Sequence, residues 1–97
     1  LMVDCSHGNS NKDYRRQGEV LRELADQVRG GSTQVMGVML ESHLVAGNQS
    51  IPKDLSQLTY GQSITDACID LATTSDLLAE LASAVQQAQG AKPLALA

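Results

Sequence analysis

The chain has 97 residues, 42% of them hydrophobic and 2% aromatic, with 7 Lys+Arg against 11 Asp+Glu and a formal net charge of −4. That length allows one small domain, and the acidic balance argues against a nucleic-acid partner, which meets a basic face. Eight Gly, two Pro and two Cys exclude collagen-like and disulfide-scaffold chains, and no apolar run approaches the ~20 residues needed to cross a membrane, so no membrane association is expected.

Leu1 to Cys5 predicts a short strand, ended by the polar turn Ser6-His7-Gly8-Asn9-Ser10-Asn11. In an all-parallel sheet such a run is buried on both faces and needs a neighbouring strand and a covering helix. Nothing precedes it to supply them, and the shortage of large aromatics leaves little to fill an independent core. The expectation is a piece of a longer polypeptide. Two Cys far apart and no secretory leader read as a reducing, cytoplasmic setting.

From about Lys12 to Arg29 the period becomes helical: Tyr14, Leu21, Leu24, Ala25 and Val28 on one face, charged residues on the other. Gly18 costs this helix about 1 kcal/mol relative to Ala, and Gly30-Gly31 stops it. Val35 to Leu40 predicts a second strand, so the three segments form a βαβ unit with a parallel pair. Ser42 to Ser63 is a long polar loop holding Gly47, Pro52 and Gly61, of the kind that is functional or disordered. A final helix is expected from Ser75, as N-cap, to Gln89, with Gly90 ending it. Its stripe would be Leu77, Leu78, Leu81, Ala82, Val85 and Ala88. Residues 91–97 have no period and are expected to form a poorly ordered tail after a folded region of residues 1–90.

In open α/β sheets and (β/α) barrels, chemistry sits beyond the carboxyl ends of the strands. His7 follows the first strand there and Glu41 follows the second. If the strands are neighbours, about 4.8 Å apart, an imidazole and a carboxylate rise side by side. Such a pair begins a divalent-metal site, accepting Mn, Fe, Co or Zn more readily than Ca or Mg. The loop returns Asp66 as a second carboxylate. The alternative for His7 is a loop histidine hydrogen-bonded to its surroundings.

Other motifs are absent: there is no Gly-x-Gly-x-x-Gly, no Gly-Lys-Ser/Thr loop and no His-Glu-x-x-His. Ser6 or Cys5 with His7 resembles a nucleophile and base but lacks a third residue to orient the ring. A zinc site from Cys5, His7, His43 and Cys68 lacks a Cys-x-x-Cys knuckle; the thiols read instead as one in the core and one at the site's edge. Lys12, Arg15 and Arg16 could meet a phosphate or simply be solvated.

Three blocks occur in one order: Asp4-Cys5-Ser6-His7-Gly8-Asn9-Ser10, Gly37-Val38-Met39-Leu40-Glu41-Ser42-His43-Leu44 and Tyr60-Gly61-Gln62-Ser63-Ile64-Thr65-Asp66-Ala67-Cys68. Together they resemble the carboxyl-terminal part of the class I 3-deoxy-D-arabino-heptulosonate-7-phosphate (DAHP) synthases, over about Leu1 to Gln89. The resemblance implies the last two βα units of a (β/α)8 TIM barrel, incomplete as an isolated chain. It also implies a metal-dependent, aldol-type condensation of phosphoenolpyruvate with erythrose 4-phosphate, the first step of the shikimate pathway, in a homo-oligomeric enzyme.

By the same resemblance His7, Glu41 and Asp66 match the family's metal-binding His, Glu and Asp. His7 and Asp66 would be catalytic, Asp66 would also orient a substrate hydroxyl, and His43 would stand behind a ligand or the substrate, a backbone-bonded loop role being its alternative. The family's metal-binding Cys lies on a strand outside this chain, as do most of its phosphate-binding residues, so the chain alone is expected to be inactive. Ala46, Asp70-Leu71-Ala72 and the Pro93 tail depart from the family pattern. The rival expectation is a non-catalytic α/β interaction module derived from the barrel.

Overall fold

The computed structural model describes residues 1–90; the expectation for the 91–97 tail lies outside them. Two strands, β1 (Met2–Asp4) and β2 (Gly37–Met39), pair in parallel with Met2 opposite Gly37, Val3 opposite Val38 and Asp4 opposite Met39. Backbone bonds extend the ladder beyond both ends, Met36 N–H to Leu1 C=O at 2.8 Å and Cys5 N–H to Met39 C=O at 3.0 Å. The connection between the strands is helix α1 (Gln17–Arg29), and a second helix, α2 (Leu71–Gly90), packs against it. The chain is therefore α/β around a two-stranded parallel sheet.

The strands are covered on one side. Cys5, Leu21, Leu24, Ile69 and Leu77 form the buried core, with Val3, Val38, Leu40 and Leu81 packed on it. Residues alternate faces along a strand, so Met2 points the other way and stays 64% exposed. The expected burial on both faces is thus not met, because among the described residues both long helices share a single layer.

Helix α1 starts later than its periodicity implies. Asn11 and Lys12 hold left-handed backbone angles (φ 56° and 59°), which a helix cannot contain. A 3-10 turn over Tyr14–Arg16 follows, its first residue preceded by Asp13, whose carboxylate accepts the Arg15 N–H at 3.1 Å. The other end stops as expected: Gly31 supplies the left-handed residue at φ 103°, while Gly30 remains right-handed.

Helix α2 corrects two expectations. It begins at Leu71, not Ser75, because the Asp70 carboxylate accepts the Thr73 N–H at 2.8 Å and caps the first turn. That turn carries no apolar stripe, Leu71 being 58% exposed, so periodicity alone missed it. The inward face runs through Leu77, Leu81 and Ala84, with Val85 and Ala88 beside Val28 and Val35 at its far end, while Leu78 and Ala82 face outward.

The long segment from Ser42 to Ser63 is ordered by side-chain amides acting as strand surrogates. The Gln49 amide accepts the Thr59 N–H at 2.9 Å and donates to Thr59 C=O at 2.8 Å and Gln62 C=O at 2.9 Å. Bridges Gly47 with Cys68 and Asn48 with Ser63 close the return. Gly61 sits at φ 79° with Leu44 pressed against it: a Cβ there would meet the Leu44 Cβ at 2.8 Å, so only glycine fits.

Candidate metal centre

His7 stands three residues beyond β1, and the turn carrying it is built by Asp4. Asp4 Oδ1 accepts the Ser6 N–H at 2.7 Å and the His7 N–H at 3.2 Å, while Asp4 Oδ2 takes the ring Nδ1 at 2.7 Å. With Nδ1 engaged, Nε2 is aimed away from the turn. It lies 2.8 Å from Glu41 Oε1 and 3.1 Å from Asp66 Oδ2. Glu41 follows β2, and its Oε1 also accepts the Ser6 hydroxyl at 2.7 Å. Asp66 arrives from the return segment, two residues ahead of Cys68, whose bridge to Gly47 fixes it.

One ligand atom from each of His7, Glu41 and Asp66 falls within 4.8 Å of the others. Exposure rises across the three, from 19% for the Glu41 side chain through 40% for His7 to 65% for Asp66. A cavity of about 180 Å³ opens beside them, lined by Ser6, His7, Lys12, Asn48, Thr65 and Asp66. An imidazole nitrogen with two carboxylates is a donor set that suits a borderline divalent ion. The Asp4 carboxylate on the remote ring nitrogen is the arrangement that orients a metal-binding histidine. These residues therefore fit a divalent cation.

The electrostatics agree. The Asp4 hydrogen bond, then that of Asp66, push the His7 imidazole up to about 9, so its Nε2 carries a proton between two carboxylates at neutral pH. Asp4 in turn is held below the usual carboxylate value, chiefly by His7. His7, Glu41 and Asp66 would hold a divalent ion only with that proton released, so its binding would be coupled to proton release.

His43 is not part of this cluster. Its exposed ring accepts the Leu44 N–H on Nδ1 at 2.8 Å, and its backbone N–H donates to Ile69 C=O at 3.0 Å. Cys5 and Cys68 are free thiols, both buried, and burial raises both above the ordinary thiol value. Among the described residues the cluster that could hold a metal ion contains no cysteine, so the four-residue zinc alternative is not assembled. Nor is a Ser6–His7 nucleophile pair, since the Ser6 hydroxyl donates to Glu41. Of the three cations once open to a phosphate role, Arg15 is bound to the Asp13 carboxylate at 3.0 Å and Arg16 lies 3.6 Å from Glu19. Lys12 lines the cavity.

Sequence reasoning missed Asp4, Ser6 and Gln17. Asp4 and His7 form an acid three residues before a histidine at a strand end, a detectable spacing. Gln17 is fully buried on the face of α1 that also carries Leu21 and Leu24, and a polar residue on an apolar stripe was the available signal.

The model of the DAHP synthetase I family matches residues 1–79. The chain belongs to that family. It is 55% identical over 97 residues to a phospho-2-dehydro-3-deoxyheptonate aldolase of Corynebacterium glutamicum, covering 94% of this chain and 26% of the relative. It is 51% identical over 81 residues to the Tyr-sensitive enzyme of that name from Escherichia coli, covering 84% and 23%. The solved structure of the aldolase from Francisella tularensis SCHU S4 matches with a TM-score of 0.83 at 52% identity, over 90% of this chain and 25% of that one. The DAHP synthetase I segment described here thus spans about a quarter of the length of these relatives.

Proposed function

We propose that this chain is the metal-binding, carboxyl-terminal part of a DAHP synthase, contributing the last two βα units of a (β/α)8 barrel to an enzyme that joins phosphoenolpyruvate to erythrose 4-phosphate. The observation that carries the reading is the meeting of His7, Glu41 and Asp66 within 4.8 Å, from three separate stretches of chain, in a member of this family.

In this reading His7 Nε2, one Glu41 oxygen and one Asp66 oxygen hold Mn, Fe, Co or Zn, with a fourth ligand from elsewhere in the enzyme. The bound cation supplies Lewis-acid polarisation of the aldose aldehyde. Asp4 fixes the ring so that Nε2 faces the centre, and Ser6 holds Glu41. Asp66, the most exposed of the three, faces the substrate and orients a hydroxyl of the aldose. His43 keeps Nε2 for the substrate side, its Nδ1 being taken by backbone.

The outer edges of β1 and β2, unpaired among the described residues, and exposed Leu1, Met2 and Met36, support both a larger barrel and association of copies. The net charge of −4 supports the absence of a nucleic-acid partner, and no described helix is long and apolar enough to cross a membrane. Two free thiols support a reducing, cytoplasmic setting.

A chimera tests the reading: this chain replaces the matching segment of the Corynebacterium glutamicum relative, and consumption of phosphoenolpyruvate with erythrose 4-phosphate is followed. Turnover that disappears with His7→Ala or Glu41→Ala is expected. A folded, metal-supplied chimera that consumes neither substrate would overturn it.

A further inference from the structure

Gln17 is a polar side chain with no exposure at all, on a helix face otherwise given to Leu21 and Leu24. Burying an amide is costly unless its hydrogen bonds are made, and if packing alone mattered an apolar residue of the same length would serve better. The amide spends both its functions on one residue. Oε1 accepts the Glu41 N–H at 2.9 Å, and Nε2 donates to the Glu41 C=O at 3.1 Å. That carbonyl also receives the Ile69 N–H at 3.0 Å.

Glu41 lies beyond the end of the β1–β2 ladder, whose last bond is Cys5 N–H to Met39 C=O. Among the described residues no strand holds its backbone on the α1 side; the Gln17 amide does so from 24 residues away. The Glu41 side chain leaves this pinned backbone to reach Ser6 Oγ at 2.7 Å and His7 Nε2 at 2.8 Å. A carboxylate whose Cα could drift would miss those atoms, since a site holds its geometry only when the groups behind its ligands are fixed.

We propose that Gln17 is a positioning residue for the Glu41 ligand, coupling the first turn of α1 to the metal centre. The inference rests on the metal-binding reading above.

Cobalt(II) titration of the full-length chimera with the Corynebacterium glutamicum relative tests it, read by calorimetry and by the visible ligand-field absorption of the bound ion. Gln17→Met keeps the length of the side chain and removes both bonds. It is expected to weaken Co²⁺ roughly 10- to 100-fold, the range for groups that orient metal ligands, and to change the absorption. Gln17→Leu likewise removes both bonds with an apolar side chain and carries the test if Gln17→Met does not fold. The decisive comparison is in the Glu41→Ala background. There, with no carboxylate to misplace, replacing Gln17 should leave the residual affinity unchanged. Equal losses in both backgrounds would make Gln17 a structural residue only and overturn the inference, as would Gln17→Met binding like the parent. A folded parent chimera that takes up no Co²⁺ would instead strike the metal-binding reading itself, and the inference with it.

Discussion

The Asp4 carboxylate and the His7 imidazole form a closed local unit: Oδ2 meets Nδ1 at 2.7 Å while Oδ1 receives the His7 backbone N–H at 3.2 Å. One short acid thereby fixes both the turn and the ring, and Nε2 is left a single direction, toward Glu41 and Asp66. Asp4→Asn keeps an oxygen for the backbone N–H groups but removes the charge behind the ring. Metal affinity should fall about 10- to 100-fold, measured by Co²⁺ titration, with helix content by circular dichroism unchanged. Undiminished affinity would remove Asp4 from the site.

The Asp70 cap makes a pH prediction. Its carboxyl is held below its ordinary value of 3.8 by the Thr73 side-chain and backbone hydrogen bonds. A group depressed in the folded state stabilises above its unfolded value and loses that contribution as pH falls through the lower, folded value. The stability difference between the parent and Asp70→Ala should therefore be constant at neutral pH and shrink below 3.8. Urea unfolding across that range checks it; a difference that persists undiminished into strong acid would show that the cap does not depend on ionised Asp70.

Two glycines should respond oppositely to alanine. At Gly18 an added Cβ meets Leu77 at 3.5 Å, an ordinary contact, and the helix gains intrinsic propensity. Gly18→Ala should stabilise by about 0.5–1 kcal/mol. At Gly61 the backbone is left-handed and the Cβ would lie 2.8 Å from the Leu44 Cβ. Gly61→Ala should destabilise by about 1–3 kcal/mol. Thermal unfolding of both variants beside the parent decides; equal signs would refute the contrast.

The chain taken alone should be catalytically silent and should self-associate. Among the described residues its sheet has two strands and two open edges, and Leu1, Met2 and Met36 are 73%, 64% and 83% exposed around them. Unpaired edges and apolar patches recruit further chains. Multi-angle light scattering should show mass beyond one copy, and a sharp monomer peak at all concentrations would contradict the prediction.

Much of the scaffold is readable from local pattern. Short apolar runs mark β1 and β2, and the 3.6 period marks α1 through Leu21, Leu24 and Ala25. The strand-end rule alone brings out His7 and Glu41, since both lie just after strands whose parallel pairing follows from the βαβ order. The start of α2 is not readable this way. Its first turn rests on the polar Asp70 cap and has no buried face, so periodicity first appears further along at Leu77.

By itself, then, the order of residues determined the elements, the parallel pair, the family resemblance and the ends from which His7 and Glu41 project. Only the folded chain decided that Asp66 closes on them, that Asp4, Ser6 and Gln17 hold them, and that His43 turns to its own backbone. The difference is physical. Helix and strand periods are short-range properties of neighbouring residues, whereas the partner of a buried amide or a carboxylate is chosen by packing across tens of residues.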